Sequence, residues 1–165
     1  MASWAWYEGA GRELIRLLKF HGVLPAAGFL AAEMARMPTP AVDRVLAVPL
    51  GRGRRRRRGF NQAELLARHW ARRLRVHTAF GTLRRTRETA PQWALSPPER
   101  RANVEGAFTA GAATAGLRVL LVDDVITTGA TVAACAQALK QAGTREVHVL
   151  TAARAPWPAA AEAAA

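Results

Sequence analysis

Cysteine, lysine and long apolar runs are all scarce in this chain. Cys135 is the only cysteine among 165 residues, so no internal disulfide can form and no cysteine-based zinc site is expected. A lone cysteine fits a reducing, cytoplasmic environment. No apolar run reaches the roughly 18–20 residues of a membrane-spanning helix. The first residues also lack a basic stretch followed by an apolar core, so we expect no signal peptide and no membrane association.

Acidic residues are scarce as well, at 12 against 24 basic residues, which gives a formal net charge of +12. Lys19 and Lys140 are the only lysines, so arginine carries almost all of the excess. The densest stretch is GRGRRRRRG at residues 51–59, and Glu64 is the only acid between Arg52 and Arg87. This balance favours anionic partners such as phosphates, nucleic acid or acidic surfaces. For the outer arginines, a solvated basic face is the alternative.

Length and hydrophobic periodicity predict one domain, residues 1–155, followed by a low-complexity Ala/Pro tail at 156–165. Helices are predicted at Gly9–His21, 26–37, 60–74 and 131–142, and strands at 44–50, 76–83, 118–122 and 146–152. The arginine run is predicted as a loop. Strands that alternate with helices and are apolar throughout indicate an α/β fold with a mostly parallel twisted sheet flanked by helices. Ligands bind at the carboxyl ends of the strands in such sheets.

The stretch VLLVDDVITTGATV, residues 119–132, places two carboxylates at the end of an apolar strand. A Walker phosphate loop is excluded, because the turn contains no lysine. A dinucleotide-binding fingerprint is excluded, because no stretch has its glycine spacing. A receiver domain is excluded, because it needs an aspartate on a later strand and none follows Asp124.

A ribose 5-phosphate site fits this stretch. The carboxylates would accept hydrogen bonds from vicinal hydroxyls, and the loop into the following helix would offer backbone N–H groups and threonine hydroxyls to a phosphate. Gly129 would let the backbone approach closely. The predicted site comprises Asp123, Asp124, Val125, Ile126, Thr127, Thr128, Gly129, Ala130 and Thr131. The alternative for the paired aspartates alone is a surface turn with a helix cap.

The same stretch resembles the phosphoribosyl pyrophosphate signature of type I phosphoribosyltransferases. VPLGRGRRRRRGFNQAELLA, at residues 48–67, and the polar segment 84–108 resemble the ComF family, which is linked to competence for DNA uptake. The resemblance covers nearly the whole chain except the tail. Family members usually begin with a cysteine-rich, zinc-ribbon-like module, whereas this sequence begins at the helix that follows it. The hood that selects the acceptor base in type I enzymes is expected to be small or absent.

The resemblance implies a role for each part of the site. Asp123 and Asp124 would be catalytic and would hold the ribose hydroxyls or a magnesium ion. The pyrophosphate would lie against the segment after the second predicted strand, at Pro49, Leu50, Gly51, Arg52, Arg54 and Arg58, with Arg57 as an alternative to Arg58. A flexible loop with Arg87, Gln92, Arg100 and Asn103 would close over the sugar.

The implied function is a phosphoribosyltransferase that uses phosphoribosyl pyrophosphate and magnesium and transfers the sugar to a nitrogenous acceptor. The alternative is a non-catalytic competence protein that keeps the sugar-phosphate pocket and binds single-stranded DNA or another nucleic acid. This alternative is supported by the excess of basic over acidic residues and by the arginine run. A homodimer remains an alternative to a monomer.

Overall fold

The computed structural model describes residues 1–88 and 97–155, apart from the side chains of residues 97, 98, 100 and 101. In these residues five strands form one sheet in which all neighbours are parallel, in the order β1-β7-β6-β2-β3. They are β1 (Ala2–Trp6), β2 (Arg44–Ala47), β3 (His77–Thr78), β6 (Arg118–Ile126) and β7 (Glu146–Arg154). A separate antiparallel pair consists of β4 (Leu83–Arg85) and β5 (Phe108–Ala110).

Helices cover both faces of the sheet, as the apolar strands predict. They are α1 (Gly9–His21), α2 (Pro25–Met34), α3 (Arg52–Arg58), α4 (Gln62–Leu74), α5 (Pro97–Val104) and α6 (Ala130–Gln141). On one face Leu120 and Val122 of β6 share a core with α1, α2 and α4. On the other face Val119 and Leu121 pack with α6, α5 and the β4–β5 pair. A strand covered on both sides is a nearly continuous apolar run, because neither face meets water.

The two longest predicted helices begin and end close to their predicted bounds. Helix α1 ends at Gly22, which adopts the left-handed conformation with φ 65° that glycine tolerates best. Helix α4 begins after Asn61, whose side-chain oxygen accepts a hydrogen bond from the Ala63 N–H at 3.1 Å. Among the described residues, no helix combines the length and the apolar character needed to span a bilayer.

The prediction of a loop for the arginine run is wrong, since Arg52–Arg58 form helix α3. Arginine is a good helix former, and the run is bounded by Gly51 and by Gly59, which has φ 77°. Charge repulsion along the helix is offset in part by Glu64 of α4, whose carboxylate lies 2.5 Å from the Arg55 guanidinium. A periodic apolar face is absent from this helix, so hydrophobic periodicity could not reveal it.

Each predicted strand overlaps a strand of the structure, but the bounds differ. The predicted strand at 44–50 ends at Ala47, before Pro49, which has no N–H for a ladder. The predicted strand at 76–83 is two short strands in different sheets, separated by a turn at Gly81 with φ 85°. Strand β6 continues through both aspartates to Ile126. Strand β1, at the edge of the sheet, was not predicted.

Candidate functional site

A cleft of about 420 Å³ opens at the carboxyl edge of the sheet. Four parallel strands end there, so residues far apart in the sequence meet in one place. Tyr7 follows β1, Val48 and Pro49 follow β2, Asp123 belongs to β6, and Ala155 follows β7. The charged and polar side chains that line the cleft are Tyr7, Lys19, Arg54, Arg58, Asn61, Gln62, Arg85, Asp123, Asp124, Thr127 and Thr131.

The two aspartates lie in the cleft as predicted, and each is fixed by the backbone that follows it. Asp123 Oδ1 accepts a hydrogen bond from the Asp124 N–H at 2.8 Å, and Asp124 Oδ1 accepts one from the Val125 N–H at 2.6 Å. Asp124 is only 8% exposed. Carboxylates held in this way are preorganised acceptors for the hydroxyls of a ligand.

Lys19 of α1 forms an ion pair with Asp124, with 3.0 Å between Nζ and Oδ1. No sequence signal pointed to this lysine, because α1 reads as an ordinary amphipathic helix. The ion pair compensates the negative charge of Asp124, which lowers the cost of burying that carboxylate. A hydroxyl or a cation that binds Asp124 must therefore share the carboxylate with the ammonium group or displace it.

Asp123 has a strongly shifted pKa. Burial, followed by the negative charge of Asp124, raises the pKa of Asp123 from its usual 3.8 to about 8. The folded state therefore holds a proton that the unfolded chain releases between these two values. The stability that this proton contributes is full below pH 3.8 and is lost as the pH rises towards 8.

We expect Asp123→Asn to raise the melting temperature of the ligand-free protein by about 3–8 °C at pH 8. An amide keeps the oxygen that accepts the Asp124 N–H but cannot ionise, so the variant escapes the cost of a buried charge. Calorimetric melting at several pH values should show a difference that grows from pH 5 to pH 8. A lower melting temperature at pH 8, or a difference independent of pH, would contradict the assignment.

The segment after β6 forms the predicted loop around a small cavity of about 40 Å³ at the start of α6. Gly129 has φ 81°, a conformation that side chains with a Cβ rarely adopt. The Thr128 hydroxyl accepts a hydrogen bond from the Ala130 N–H at 3.3 Å. Thr127 and Thr131 line the main cleft, so their hydroxyls face the same space as the aspartates. The loop thus provides hydroxyl and backbone donors beside the carboxylates, as an anionic group requires.

Helix α3 divides the arginine run into two faces. Arg54 and Arg58, one helical turn apart, line the cleft and are half-buried, whereas Arg52, Arg56 and Arg57 are exposed. The Arg58 guanidinium stacks over the Phe20 ring at 5.3 Å, and burial lowers its pKa. Pro49 and Leu50 also line the cleft, as predicted. Within the described residues, the predicted Gly51 and Arg52 are not part of its lining.

Gly51 instead lies against Glu88. The Gly53 N–H donates to Glu88 Oε1 at 3.0 Å, and a Cβ at Gly51 would lie only 2.6 Å from Glu88 Oε2. Hydrogen bonds from the Gly53 and Arg52 backbone lower the pKa of Glu88. The start of α3 therefore holds a carboxylate of the same chain, next to the segment that the family resemblance assigns to the pyrophosphate.

The residues predicted for a flexible loop are only partly described. Arg87 donates to the carbonyl oxygens of Asn103 at 3.2 Å and Glu105 at 2.9 Å, so it ties the two ends of the polar segment together. Gln92 and the side chain of Arg100 lie outside the described residues. Arg85 of β4, which was not predicted, lines the cleft and stacks over Phe108 at 5.4 Å.

The carboxylate oxygens at the cleft are of the type that magnesium prefers as ligands. Within the described ranges, no group of three or more His, Cys, Asp or Glu side chains is placed to hold a metal ion. Two adjacent carboxylates at the cleft are enough for an ion whose other ligands are water and substrate phosphates, which is how magnesium usually binds. Asp123 and Asp124 would hold it.

The family described as phosphoribosyl transferase domain matches residues 61–162, which is more than half of the chain. The chain belongs to this family. The matched part of the phosphoribosyl transferase domain contains both aspartates and the threonine loop.

Curated relatives confirm the resemblance to the ComF family. DNA utilization protein YhgH from Salmonella typhi is 43% identical over 118 residues, which cover 70% of this chain and 52% of that protein. Competence protein F from Haemophilus influenzae is 37% identical over 116 residues, which cover 68% of this chain and 51% of that protein. The chain thus spans about half the length of the curated relatives it matches.

Solved structures share the fold of this phosphoribosyl transferase domain. Glutamine phosphoribosylpyrophosphate amidotransferase from B. subtilis, complexed with ADP and GMP, superposes with a TM-score of 0.56 at 23% identity, over 78% of this chain and 26% of that chain. The allosteric regulatory enzyme of purine biosynthesis superposes with a TM-score of 0.55 at 25% identity and the same coverage. The predicted fold class, a mostly parallel sheet flanked by helices, is confirmed.

Proposed function

We propose that the chain binds phosphoribosyl pyrophosphate and transfers its phosphoribosyl group to a nitrogenous acceptor, with release of pyrophosphate. The observation that carries the proposal is that one cleft combines two carboxylates, a threonine loop and the two arginines Arg54 and Arg58 of α3. These groups match the three parts of the ligand, which are a diol, a terminal phosphate and a pyrophosphate. A solvated turn with a helix cap, the alternative for the aspartates, would not require the other two groups.

Each element contributes a different interaction. The carboxyl oxygens of Asp123 and Asp124 accept hydrogen bonds from the ribose hydroxyls. The 5-phosphate binds the loop at 127–131, where backbone N–H groups and threonine hydroxyls are donors at the start of a twelve-residue helix. Arg54 and Arg58 bind the pyrophosphate, since a guanidinium fork suits phosphate oxygens.

The transfer step exchanges one bond for another at the anomeric carbon. The bond from that carbon to the pyrophosphate oxygen breaks, and its electron pair leaves with the oxygen. The acceptor nitrogen forms the new bond with its lone pair and then releases its proton to solvent. Positive charge grows on the sugar beside Asp123 and Asp124, while negative charge grows on the leaving group beside Arg54 and Arg58. Magnesium, when bound, would neutralise part of the leaving-group charge.

Titration calorimetry tests the binding half of the proposal. The wild-type protein with magnesium should bind phosphoribosyl pyrophosphate and ribose 5-phosphate, the former more tightly. An assay for pyrophosphate release with a panel of nucleobases and ammonia tests turnover. Absence of heat with both sugar phosphates would overturn the proposal, whereas binding without release would restrict it to a binding protein.

The arginines give a sharper prediction. We expect Arg54→Ala/Arg58→Ala to weaken the affinity for phosphoribosyl pyrophosphate about 30-fold or more and the affinity for ribose 5-phosphate less than threefold. The reason is that only the former ligand carries the leaving group. The matched control is Arg52→Ala/Arg56→Ala, which removes the same charge from the exposed face of α3 and should change both affinities little. Equal losses for both ligands in the first variant would contradict the assignment.

A second candidate function is nucleic-acid binding, and a specific observation favours it. Arg52, Arg56 and Arg57 are exposed on α3 and do not belong to the lining of the sugar-phosphate cleft. Two relatives are named DNA utilization protein and competence protein. If this face binds single-stranded DNA, Arg52→Ala/Arg56→Ala should lose DNA affinity, and the wild-type affinity should fall steeply with salt as counterions are released. Salt-independent or unchanged binding would exclude this function for the face.

A further inference from the structure

We propose that Gln62 binds the pyrophosphate group of the sugar phosphate, with its side-chain amide nitrogen as the hydrogen-bond donor. The inference rests on the proposed function, because it assigns a residue inside the same cleft. Sequence analysis did not place Gln62 in the site, since it reads only as the first residue of a helix.

Gln62 lines the cleft, yet it is only 1% exposed. Its Nε2 atom has no hydrogen-bond partner within the described part of the chain. A buried amide donor without a partner costs free energy, because the water it would otherwise bind has been removed. At the wall of a cleft, this cost is recovered when a ligand supplies an acceptor. The last torsion of a glutamine is soft, so the amide group can turn towards a ligand without moving the helix.

The neighbouring Asn61, unlike Gln62, has a hydrogen-bond partner for its side-chain amide nitrogen. Its Nδ2 donates to the Val48 carbonyl at 3.0 Å, and its Oδ1 accepts from the Ala63 N–H at 3.1 Å. Both ends of the Asn61 amide therefore have partners: the nitrogen joins α4 to the residue after β2, and the oxygen caps α4. The two adjacent amides thus have different roles: Asn61 fixes the wall of the cleft, and the Gln62 nitrogen remains for a ligand.

The indole nitrogen of Trp70 is a second buried donor, and it differs from the Gln62 amide in its surroundings. Trp70 Nε1, on the same helix, also has no partner among the described residues. Trp70 belongs to the hydrophobic core between the helices and the sheet and is not part of the cleft lining. Lack of a partner alone does not indicate a ligand. What distinguishes Gln62 is that this residue lines the cleft, whereas Trp70 does not.

The charge around Gln62 indicates which part of the ligand it meets. Gln62 begins a thirteen-residue helix, whose positive dipole end lies at the cleft. Arg54 and Arg58 of α3 line the same cleft. The aspartates match the ribose hydroxyls and the threonine loop matches the 5-phosphate, so the donors of α3 and α4 remain for the pyrophosphate. A donor shielded from water also gains more from a charged acceptor than an exposed one does.

The test uses Gln62→Met, which keeps the length of the side chain and removes both polar atoms. Titration calorimetry with magnesium should show about a tenfold or greater loss of affinity for inorganic pyrophosphate and less than a twofold change for ribose 5-phosphate. The melting temperature of the ligand-free protein should stay the same or rise, because an unpartnered buried donor has been removed. A purely structural glutamine would give a lower melting temperature instead.

Asn61→Ala is the comparison variant. It removes two internal hydrogen bonds, so its melting temperature should fall, and its affinities for the two probes should fall together. Pyrophosphate affinity within twofold of wild type in Gln62→Met overturns the inference, as does a parallel loss for both probes. If the wild type binds ribose 5-phosphate in a manner that depends on Asp123 and Asp124, such a result leaves the proposed function standing. If the wild type binds neither probe, both the inference about Gln62 and the proposed function fail.

Discussion

Asp123→Asn/Asp124→Asn should reduce the affinity for phosphoribosyl pyrophosphate at least 100-fold and leave the protein folded. The NH₂ group of each amide presents a donor where the ligand also presents donors. The Asp124→Asn change also removes the negative charge that strengthens hydrogen bonds from the ribose hydroxyls. The variant also leaves the Lys19 ammonium without its carboxylate partner. Titration calorimetry of both proteins measures the effect, and circular dichroism checks that the variant is folded.

A matched control comes from the other end of the same sheet. Asp43 forms a bidentate pair with Arg118 at the start of β6, and the Arg118 guanidinium lowers the pKa of Asp43 to about 2. The contribution of this pair is present above pH 4 and is lost as the pH falls towards 2. Asp43→Asn should therefore lower stability at neutral pH and leave sugar-phosphate affinity unchanged. Equal heats from the double variant and the wild type would remove the basis of the proposed function.

Gly129→Val should fold but lose ribose 5-phosphate affinity about 100-fold. A Cβ at this position would lie 3.6 Å from the Ile126 Cδ1, which is ordinary contact, so space does not forbid the substitution. The constraint is φ 81°, which a β-branched residue adopts only with strain. Valine should instead pull the backbone to negative φ and turn the N–H groups of the loop away from the phosphate. Calorimetry with ribose 5-phosphate measures this loss.

Gly116→Val is the matched control for backbone strain. Gly116 has φ 72°, and an added Cβ would meet no atom within 4 Å. It lies before β6, at the edge of the sheet opposite the cleft, where its N–H donates to the Gly143 carbonyl at 2.9 Å. Both variants should lose about 1–2 kcal/mol of stability. Only Gly129→Val should lose affinity, and unchanged binding in that variant would place the phosphate elsewhere.

Agreement between sequence and structure is best where the signal is local and apolar. Helix α1 and the N-cap of α4 were predicted because an apolar face, a glycine stop or a capping asparagine lies within a few residues of each helix end. Strand β6 was predicted because burial on both faces demands an uninterrupted apolar run. The arginine helix α3 was missed because it buries no apolar face and so has no periodic pattern.

The sequence by itself determined the chemical parts of the site. Strand β6, its two aspartates and the threonine loop are contiguous, so their order alone specifies a strand end, paired acceptors and the start of a helix. Only the tertiary structure decided which other groups meet them. Lys19 reaches Asp124 because α1 packs on the sheet, and Arg54 and Arg58 face the cleft because α3 is helical. Burial leaves the Gln62 Nε2 atom without a hydrogen-bond partner among the residues that the structure describes. Such contacts depend on the packing of elements far apart in the sequence, so no local hydrophobic pattern predicts them.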